Sequence, residues 1–274
     1  MTGRSFLDFQ LEGKVVIVTG AARGIGEAIA EAFGAAKCKV VVADRMRRTD
    51  GRNRCEALAK RIETLGGQAL VVQLDVSDRA QVEKMAQATM AKFGRVDVLV
   101  NNAAIMKGGA FFDINEDSMR EHFDVNVKGC FSCCQVVAKQ MIKQGSGGKI
   151  VIISSVDGIE AEEGALAYSA SKASVIVMMK CMAVELAPNR INVNAIAPGW
   201  VETDMTVPYL NEALEKELNR RIPIGSMAKP EQMAGGALYL ASSLADYVTG
   251  HVLVIDGGLV SNITIKTSQG SVQY

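Results

Sequence analysis

A tyrosine and a lysine four residues apart, with a serine upstream, form the most informative pattern in this sequence. On a helix, Tyr168 and Lys172 would share one face, because residues four apart lie about one turn from each other. A lysine ammonium beside a phenol stabilises the phenolate and would lower the tyrosine pKa from about 10 toward neutrality. Such a tyrosine can take a proton from an alcohol or donate one to a developing alkoxide. Ser155 could hydrogen-bond the same substrate oxygen.

A glycine-rich turn near the N-terminus indicates a second kind of chemistry. Residues 19–26 follow a short apolar run and open a helix-compatible stretch. Glycines there let the backbone approach a pyrophosphate, whose charge the helix N-terminus stabilises. The strand before the turn and the helix after it favour a dinucleotide site over an ordinary turn. The turn residues expected to contact the cofactor are Gly20, Arg23, Gly24, Ile25 and Gly26.

Asp44, which closes the second apolar run, bears on which dinucleotide binds. A carboxylate there can accept hydrogen bonds from both adenosine ribose hydroxyls and repels a 2′-phosphate, which favours NAD over NADP. The nearby arginines act in the opposite sense, because they could hold a 2′-phosphate; they are Arg23, Arg45, Arg47 and Arg48. We favour NAD, since Asp44 acts at the phosphate position itself, and NADP is the alternative.

Polar and small residues also end the third and fourth apolar runs. Asp75 and Val76 end the third run, where a carboxylate could receive the adenine amino group. Asn102, Ala103 and Ala104 end the fourth. Small side chains there let the chain pass close to a cofactor at the carboxyl edge of a sheet.

Repeated units of a short apolar run and a longer helical stretch must position these residues. The apolar runs are residues 15–18, 40–43, 69–74, 96–100, 150–153, 191–196 and 251–255. Most are continuously apolar, as expected for parallel strands buried on both faces. The helix-compatible stretches include 24–36, 79–92, 116–144, 167–186 and 230–241. The alternation predicts a single α/β domain with a doubly wound Rossmann-type parallel sheet of about seven strands and helices on both faces.

Four stretches interrupt this alternation. Residues 1–10 form an N-terminal extension, and residues 45–54 are expected to form a basic, polar loop. Residues 202–227 are expected to form a mobile helical insertion near the substrate. The tail 259–274 is expected to fray or to dock on a neighbouring subunit. Internal repeats and linkers that would mark a second domain are not evident.

Composition argues against several classes of partner. Thirty basic residues balance thirty acidic ones, which gives no electrostatic reason to expect a nucleic acid or an anionic membrane. No apolar run approaches the roughly 20 residues of a membrane-spanning helix. The N-terminus lacks the apolar core of a signal peptide, so we expect a cytoplasmic location. The six cysteines would then stay reduced.

Three cysteines lie close enough together to raise the question of a metal site. Cys130, Cys133 and Cys134 lack a second cysteine pair or a histidine pair that would complete four ligands, and His122 stands alone. Small apolar residues on a packed helix explain them better. We therefore expect no metal.

Residues 11–258 resemble the short-chain dehydrogenase/reductase family. The matching residues are 19–26, Asp75, 101–104, Asn126, Ser155, Tyr168, Lys172, Pro198, Gly199 and 255–258. The resemblance implies a general acid/base role for Tyr168, with Ser155 positioning the substrate oxygen. It implies that Lys172 lowers the tyrosine pKa and binds the nicotinamide ribose, and that Asn126 anchors a water in a proton relay. It implies that Pro198 and Gly199 contact the cofactor, and that the Val201 backbone and the Thr203 hydroxyl after them hold the nicotinamide carboxamide.

The resemblance implies an oxidoreductase that interconverts a small-molecule secondary alcohol and its ketone with NAD(H). Substrate choice is expected to come from the insertion 202–227 and from the loop before Tyr168, whose acids are Asp157, Glu160, Glu162 and Glu163. A site built from these acids would suit a polyol or sugar-like alcohol. The alternative interpretation is that these acids face solvent and do not contact the substrate.

Two alternatives stay open. A 3-oxoacyl-thioester reductase that uses NADPH has the same motifs, and Asp44 argues against it. A catalytically idle NAD-binding sensor is the alternative from another class, and the intact Ser155, Tyr168 and Lys172 argue against it. The resemblance also implies a homotetramer packed along residues 116–144 and 167–186. The cysteines and the cluster of Met178, Met179 and Met182 fit either this interface or the core.

Overall fold

Seven parallel strands form the central sheet of the computed structural model, which describes residues 9–46, 50–262, 266–267 and 270–271. They are β1 (Val15–Thr19), β2 (Lys39–Asp44), β3 (Gln68–Gln73), β4 (Val98–Asn101), β5 (Gly148–Ile153), β6 (Ile191–Pro198) and β7 (Val252–Ile255). Their order is β3-β2-β1-β4-β5-β6-β7, and every neighbouring pair is parallel. The strand order reverses between β1 and β4, the place where such sheets bind nucleotides.

The helices cover both faces of the sheet. They are α1 (Gly24–Ala35), α2 (Gly51–Thr64), α3 (Arg79–Phe93), α4 (Glu116–His122), α5 (Cys130–Gln144), α6 (Leu166–Leu186), α7 (Glu212–Arg221) and α8 (Glu231–Ala241). Phe33 of α1 and Leu58 of α2 pack on one face with α8. Met85 of α3, Met141 of α5 and Met179 of α6 pack on the other. The predicted doubly wound α/β fold is confirmed.

Two predicted boundaries are wrong. The loop expected over residues 45–54 ends earlier, because α2 begins at Gly51 and carries Arg54 in its first turn. Most side chains of α2 are polar and exposed, which hides the helical spacing of its buried residues Cys55, Leu58 and Ile62. Arg47 and Arg48 lie outside the described residues. The helix expected over 116–144 is divided by a π-helical segment, Phe123–Gly129, where Gly129 packs directly against Val76.

The insertion 202–227 is helical, as expected, because it contains α7. Two short antiparallel strands, β8 (Lys266–Thr267) and β9 (Gly270–Ser271), lie within the predicted tail. Within the described part of the chain, no helix combines the length and the apolar character needed to cross a membrane.

Candidate active site

An open cleft of about 1200 Å³ lies along the carboxyl edge of the sheet. We call it the edge cleft. Its lining includes these predicted residues: Gly20, Arg23, Gly24, Ile25, Asp44, Arg45, Asp75, Val76, Asn102, Ala103, Ala104, Ser155, Tyr168, Lys172, Pro198, Gly199, Val201 and Thr203. Gly26 and Asn126 are not in the lining.

The glycine turn is packed so tightly that larger residues would not fit. A Cβ on Gly26 would lie 2.3 Å from the Gly20 carbonyl oxygen and 2.5 Å from Asn102 Nδ2. Gly20 has a φ of +66°, and a Cβ on it would lie 2.9 Å from the Ala103 Cα. Asn102 Nδ2 donates to the carbonyl oxygens of Thr19 and Gly20, each at 3.0 Å, which fixes the turn beneath the edge cleft.

The start of α1 suits an anion. Arg23 stands at the N-cap in extended conformation, and its side chain makes no capping hydrogen bond. The first backbone N–H groups of a helix without a side-chain cap point outward and attract negative charge. The residues present therefore fit the pyrophosphate of a dinucleotide.

Asp44 is held at the end of β2, facing the glycine turn. One carboxylate oxygen accepts a hydrogen bond from the Ala22 N–H at 3.1 Å, and the other accepts one from the Met46 N–H at 3.3 Å. These bonds fix the carboxylate within the edge cleft, where an adenosine ribose could meet it.

Arg23 and Arg54 both pair with Asp204 of the insertion. The guanidinium–carboxylate distances are 3.4 Å and 3.1 Å, and Arg54 also pairs with Asp50 at 2.6 Å. The motifs of the sequence did not identify Asp204. It follows Thr203 in a loop that returns over the glycine turn, and no periodic pattern predicts that contact.

Asp75 lies at the end of β3, as predicted, and it is 9% exposed. Its Oδ1 accepts hydrogen bonds from the Ser77 hydroxyl at 2.6 Å and the Ser77 N–H at 3.1 Å. These bonds orient the carboxylate toward the edge cleft that it lines.

Ser155, Tyr168 and Lys172 meet where β5 ends and α6 begins. Tyr168 stands in the first turn of α6, close enough to the Ser155 side chain for the serine to affect its pKa. Lys172 Nζ donates to the Ile153 carbonyl oxygen at 2.8 Å and lies 5.5 Å from the centre of the Tyr168 ring. Ser155, Tyr168 and Lys172 are 8%, 8% and 4% exposed, so each is almost fully buried.

The expected lowering of the Tyr168 pKa is wrong for this arrangement. Burial raises the pKa of Tyr168, the carboxylates of Asp157 and Glu162 raise it further, and the Ser155 side chain opposes the rise. Burial also lowers the pKa of Lys172 to about 8, against the opposing influence of Cys130 and Asp157. The loss of hydration therefore dominates the environment of the phenol, and Lys172 is not among the groups that shift its pKa.

Asn126 occupies the π-helical segment and joins two parts of the site. Its Oδ1 accepts from the Ile105 N–H at 2.8 Å, and its Nδ2 donates to the Ile105 carbonyl and the Ser171 hydroxyl, each at 2.9 Å. Ser171 in turn donates to the Tyr168 carbonyl oxygen at 2.7 Å. Sequence reasoning missed Ser171, although it stands inside the Tyr-x-x-x-Lys pattern. The proposed water relay through Asn126 stays a prediction.

The four acids of the loop before Tyr168 divide into two pairs. Glu160 and Glu163 are exposed, whereas Asp157 and Glu162 are half-buried and close enough for each to shift the pKa of the other. Burial, followed by the charge of Asp157, raises the pKa of Glu162 to about 7. Glu162 is therefore partly protonated near neutral pH, close enough to Tyr168 to affect its pKa.

The residues predicted for the nicotinamide end follow β6. A Cβ on Gly199 would lie 2.8 Å from Asp256 Cβ, so glycine permits close packing there. Val201 forms a bridge with Ala228, and its carbonyl accepts a hydrogen bond from the Thr206 hydroxyl. The remaining cleft residues that the motifs missed are Leu74, Ile105, Val125, Ile153, Ser154, Asp204, Met205 and Thr206.

The three cysteines of α5 and the histidine are not in the lining of the edge cleft. Cys130, Cys133 and Cys134 are buried in the core beneath the sheet. His122 is fully buried, with Nδ1 donating to the Ser118 carbonyl and Nε2 accepting from the Lys107 N–H. Within the described residues, no three His, Cys, Asp or Glu side chains cluster in a way that could hold a metal ion.

Comparisons with known proteins match this geometry over most of the chain. A family model described as enoyl-(acyl carrier protein) reductase matches residues 20–260. The 3-oxoacyl-(acyl-carrier-protein) reductase of Thermotoga maritima is 43% identical over 92% of this chain and 99% of its own length. The L-rhamnose 1-dehydrogenase (NAD(P)(+)) of a Sphingomonas species is 37% identical over 92% of this chain and 98% of its own.

A solved structure of the same kind of protein is also similar to this chain. The short-chain type dehydrogenase/reductase of Mycobacterium marinum superposes with a TM-score of 0.87 at 36% identity, covering 93% of this chain and 98% of that one. The strand order, the glycine turn and the extent of these matches lead to one assignment. This chain belongs to the short-chain dehydrogenase/reductase family of oxidoreductases.

Proposed function

We propose that this protein interconverts a secondary alcohol and its ketone with NAD(H), and that the substrate is a polyol or a sugar-like alcohol. The observation that carries the proposal is one shared cleft. Ser155 and Tyr168 line the same edge cleft as the glycine turn and Asp44. A dinucleotide on the turn and a substrate at the tyrosine would therefore be neighbours.

The cofactor would be held by the turn 19–26, by Asp44 and Asp75 at the adenosine end, and by the residues after β6 at the nicotinamide end. When bound, the nicotinamide supplies or accepts the hydride. The chain supplies orientation and handles the proton. Ser155 would hold the substrate oxygen by a hydrogen bond to its hydroxyl.

Tyr168 would exchange the proton through its hydroxyl oxygen. Its raised pKa means that it holds this proton at neutral pH, so donation to a developing alkoxide is its favoured step. Lys172 would bind the nicotinamide ribose, and Asn126 would serve the relay that returns the proton. Burial of these side chains keeps bulk water away from the reacting oxygen.

NAD is proposed over NADP because of Asp44. Its carboxylate is fixed by two backbone N–H groups, so it cannot turn away from a 2′-phosphate without losing both bonds. Two ribose hydroxyls would instead donate to it.

The substrate class is proposed from Asp157 and Glu162. When Glu162 is protonated it can donate one hydrogen bond, and the remaining carboxyl oxygens of the pair can accept, which matches the paired donor and acceptor character of sugar hydroxyls. The charge of the pair also disfavours anionic substrates. The 37% identity to an L-rhamnose dehydrogenase supports this class.

A second candidate is the reduction of 3-oxoacyl thioesters with NADPH. It is supported by the 43% identity to the reductase of Thermotoga maritima and by the description of the family model. Asp44 and the acid pair count against it.

The deciding experiment follows nicotinamide absorbance with NAD or NADP and a panel of sugars, polyols, cyclic alcohols, hydroxysteroids and 3-hydroxyacyl thioesters. Activity on a sugar with NAD, reduced by about 10²–10⁴-fold in Tyr168→Phe, is the expected result. Faster turnover of thioesters with NADP would overturn the proposal in favour of the second candidate. If NAD binds and none of these compounds reacts, the idle sensor becomes the better interpretation.

We also propose a homotetramer in the cytoplasm. Val177 and Val184 of α6 are 61% and 77% exposed and stand seven residues apart, on one face of the helix. Met179, by contrast, is buried in the core, whereas Met178 and Met182 are partly buried beside the core and could also face a neighbouring subunit. All six cysteines are free thiols, as a reducing compartment would keep them.

A further inference from the structure

Asp204 connects three separate parts of the chain at one end of the edge cleft. Its Oδ2 lies 3.4 Å from Arg23 Nη1 in the glycine turn and 3.1 Å from Arg54 Nη1 on α2. Arg54 is also held by Asp50, whose Oδ2 is 2.6 Å from its Nε. One carboxylate thus engages both guanidinium groups, and the four side chains together carry no net charge.

This network of four side chains lies where it could affect cofactor binding. Arg23 and Asp204 line the edge cleft together with Asp44, and the Ala22 N–H beside Arg23 donates to Asp44. The network therefore borders the place where the 2′ position of an adenosine ribose would meet Asp44. The carboxylate of Asp204 comes from the loop after β6, on the far side of β4 and β5 in the sheet.

We propose that Asp204 is a specificity-determining residue that selects against NADP by occupying the guanidinium groups of Arg23 and Arg54. Arginine binds phosphate through paired N–H donors, and a donor already directed at a carboxylate must be released first. The charge of Asp204 also repels a 2′-phosphate. NAD carries no phosphate at this position and gains nothing from that release.

This inference deepens the proposed function, since it rests on the binding of a dinucleotide in the edge cleft. Asp44 and Asp204 act in different ways: Asp44 acts by repulsion and by hydrogen bonds to the ribose, whereas Asp204 acts through the arginines. Their effects can therefore be measured separately.

The test is the affinity of the whole protein for NAD, NADP and adenosine 2′,5′-bisphosphate, measured by titration calorimetry in Asp204→Asn. The asparagine keeps the size of the side chain and removes its charge. We expect NADP and the bisphosphate to bind roughly fivefold to tenfold more tightly, with a much smaller change for NAD. Because the readout is binding, it does not depend on knowing the substrate.

Glu202→Gln is the matched control. It removes one negative charge from the same loop, but Glu202 pairs with Lys229 and not with the two arginines. The ratio of NAD to NADP affinity should stay as in the wild type. Adding Arg23→Gln and Arg54→Gln to Asp204→Asn should remove the gain for NADP.

Three results would overturn the inference: an unchanged ratio in Asp204→Asn, an equal shift in the control, or a gain that survives loss of both arginines. A wild-type protein that prefers NADP would instead contradict the NAD preference in the proposed function. In that case a further shift toward NADP in Asp204→Asn still supports the role of Asp204, and no shift still refutes it.

Discussion

Lys172 and Ile153 are joined by a hydrogen bond of 2.8 Å from the lysine ammonium to the backbone carbonyl oxygen. The bond ties α6 to the last residue of β5, immediately before the two serines that end this edge of the sheet. Burial lowers the pKa of Lys172 to about 8, far below its ordinary value of 10.5. The lysine therefore carries its charge at neutral pH at a cost to stability.

That cost predicts how stability changes with pH. Between the two pKa values the unfolded chain binds more protons than the folded one, so the free energy of unfolding rises with pH. Relative to Lys172→Met, the wild type should gain about 2 kcal/mol between pH 7.5 and pH 9.5. Urea unfolding of both proteins at the two pH values measures the difference. A constant difference would show that Lys172 is not desolvated.

Ionisation of Tyr168 provides a second prediction. Because burial raises its pKa, the phenol should stay protonated beyond pH 10 in the protein alone. The check is a difference titration of tyrosinate absorbance, wild type minus Tyr168→Phe. A phenolate that forms near neutral pH would restore the expectation that Lys172 lowers the tyrosine pKa.

Gly26 should tolerate no side chain. A Cβ there meets the Gly20 carbonyl oxygen at 2.3 Å, so Gly26→Ala should lower the free energy of unfolding by about 2–3 kcal/mol and weaken NAD binding. Gly235 on α8 is the matched control, since a Cβ on it meets nothing within 4 Å. Gly235→Ala should raise stability by about 0.5–1 kcal/mol. Equal effects of the two substitutions would contradict the packing argument.

The proposed assembly can be tested on α6. Val184→Asp places a charge on the exposed apolar face and should convert a tetramer into smaller species, measured by light scattering after size-exclusion chromatography. Leu65→Asp, at an exposed leucine beyond the end of α2, should leave the mass unchanged. A wild-type protein that elutes as a monomer would refute the proposal outright.

Much of this architecture could be predicted from the sequence, because it rests on local patterns. Each of the seven apolar runs falls on a strand, and the glycine turn and the Tyr-x-x-x-Lys pattern lie in the edge cleft. Predictions from the sequence were wrong where a property, such as a pKa, depends on burial in the folded protein. The sequence-based expectation considered only the pairing of Tyr168 with Lys172. In the structure, loss of hydration is the largest influence on the Tyr168 pKa.

Contacts between residues far apart in the sequence also could not be predicted. Asp204 reaches Arg23 across 181 positions of sequence, and Ser171 meets Asn126 across 45. Neither contact produces a periodic pattern in the sequence from which it could be predicted. The helix α2 was missed for another reason: Cys55, Leu58 and Ile62 recur at helical spacing, but the polar composition around them resembles that of a loop.

The Asn102 amide, which donates to both Thr19 and Gly20, has a consequence for the kinetics of cofactor exchange. Fixing the backbone of one residue costs about 1–2 kcal/mol in conformational entropy, and this turn meets that cost during folding. A nucleotide that arrives finds its phosphate site already shaped. Association of NAD should therefore proceed in one step, without a slow rearrangement of the turn.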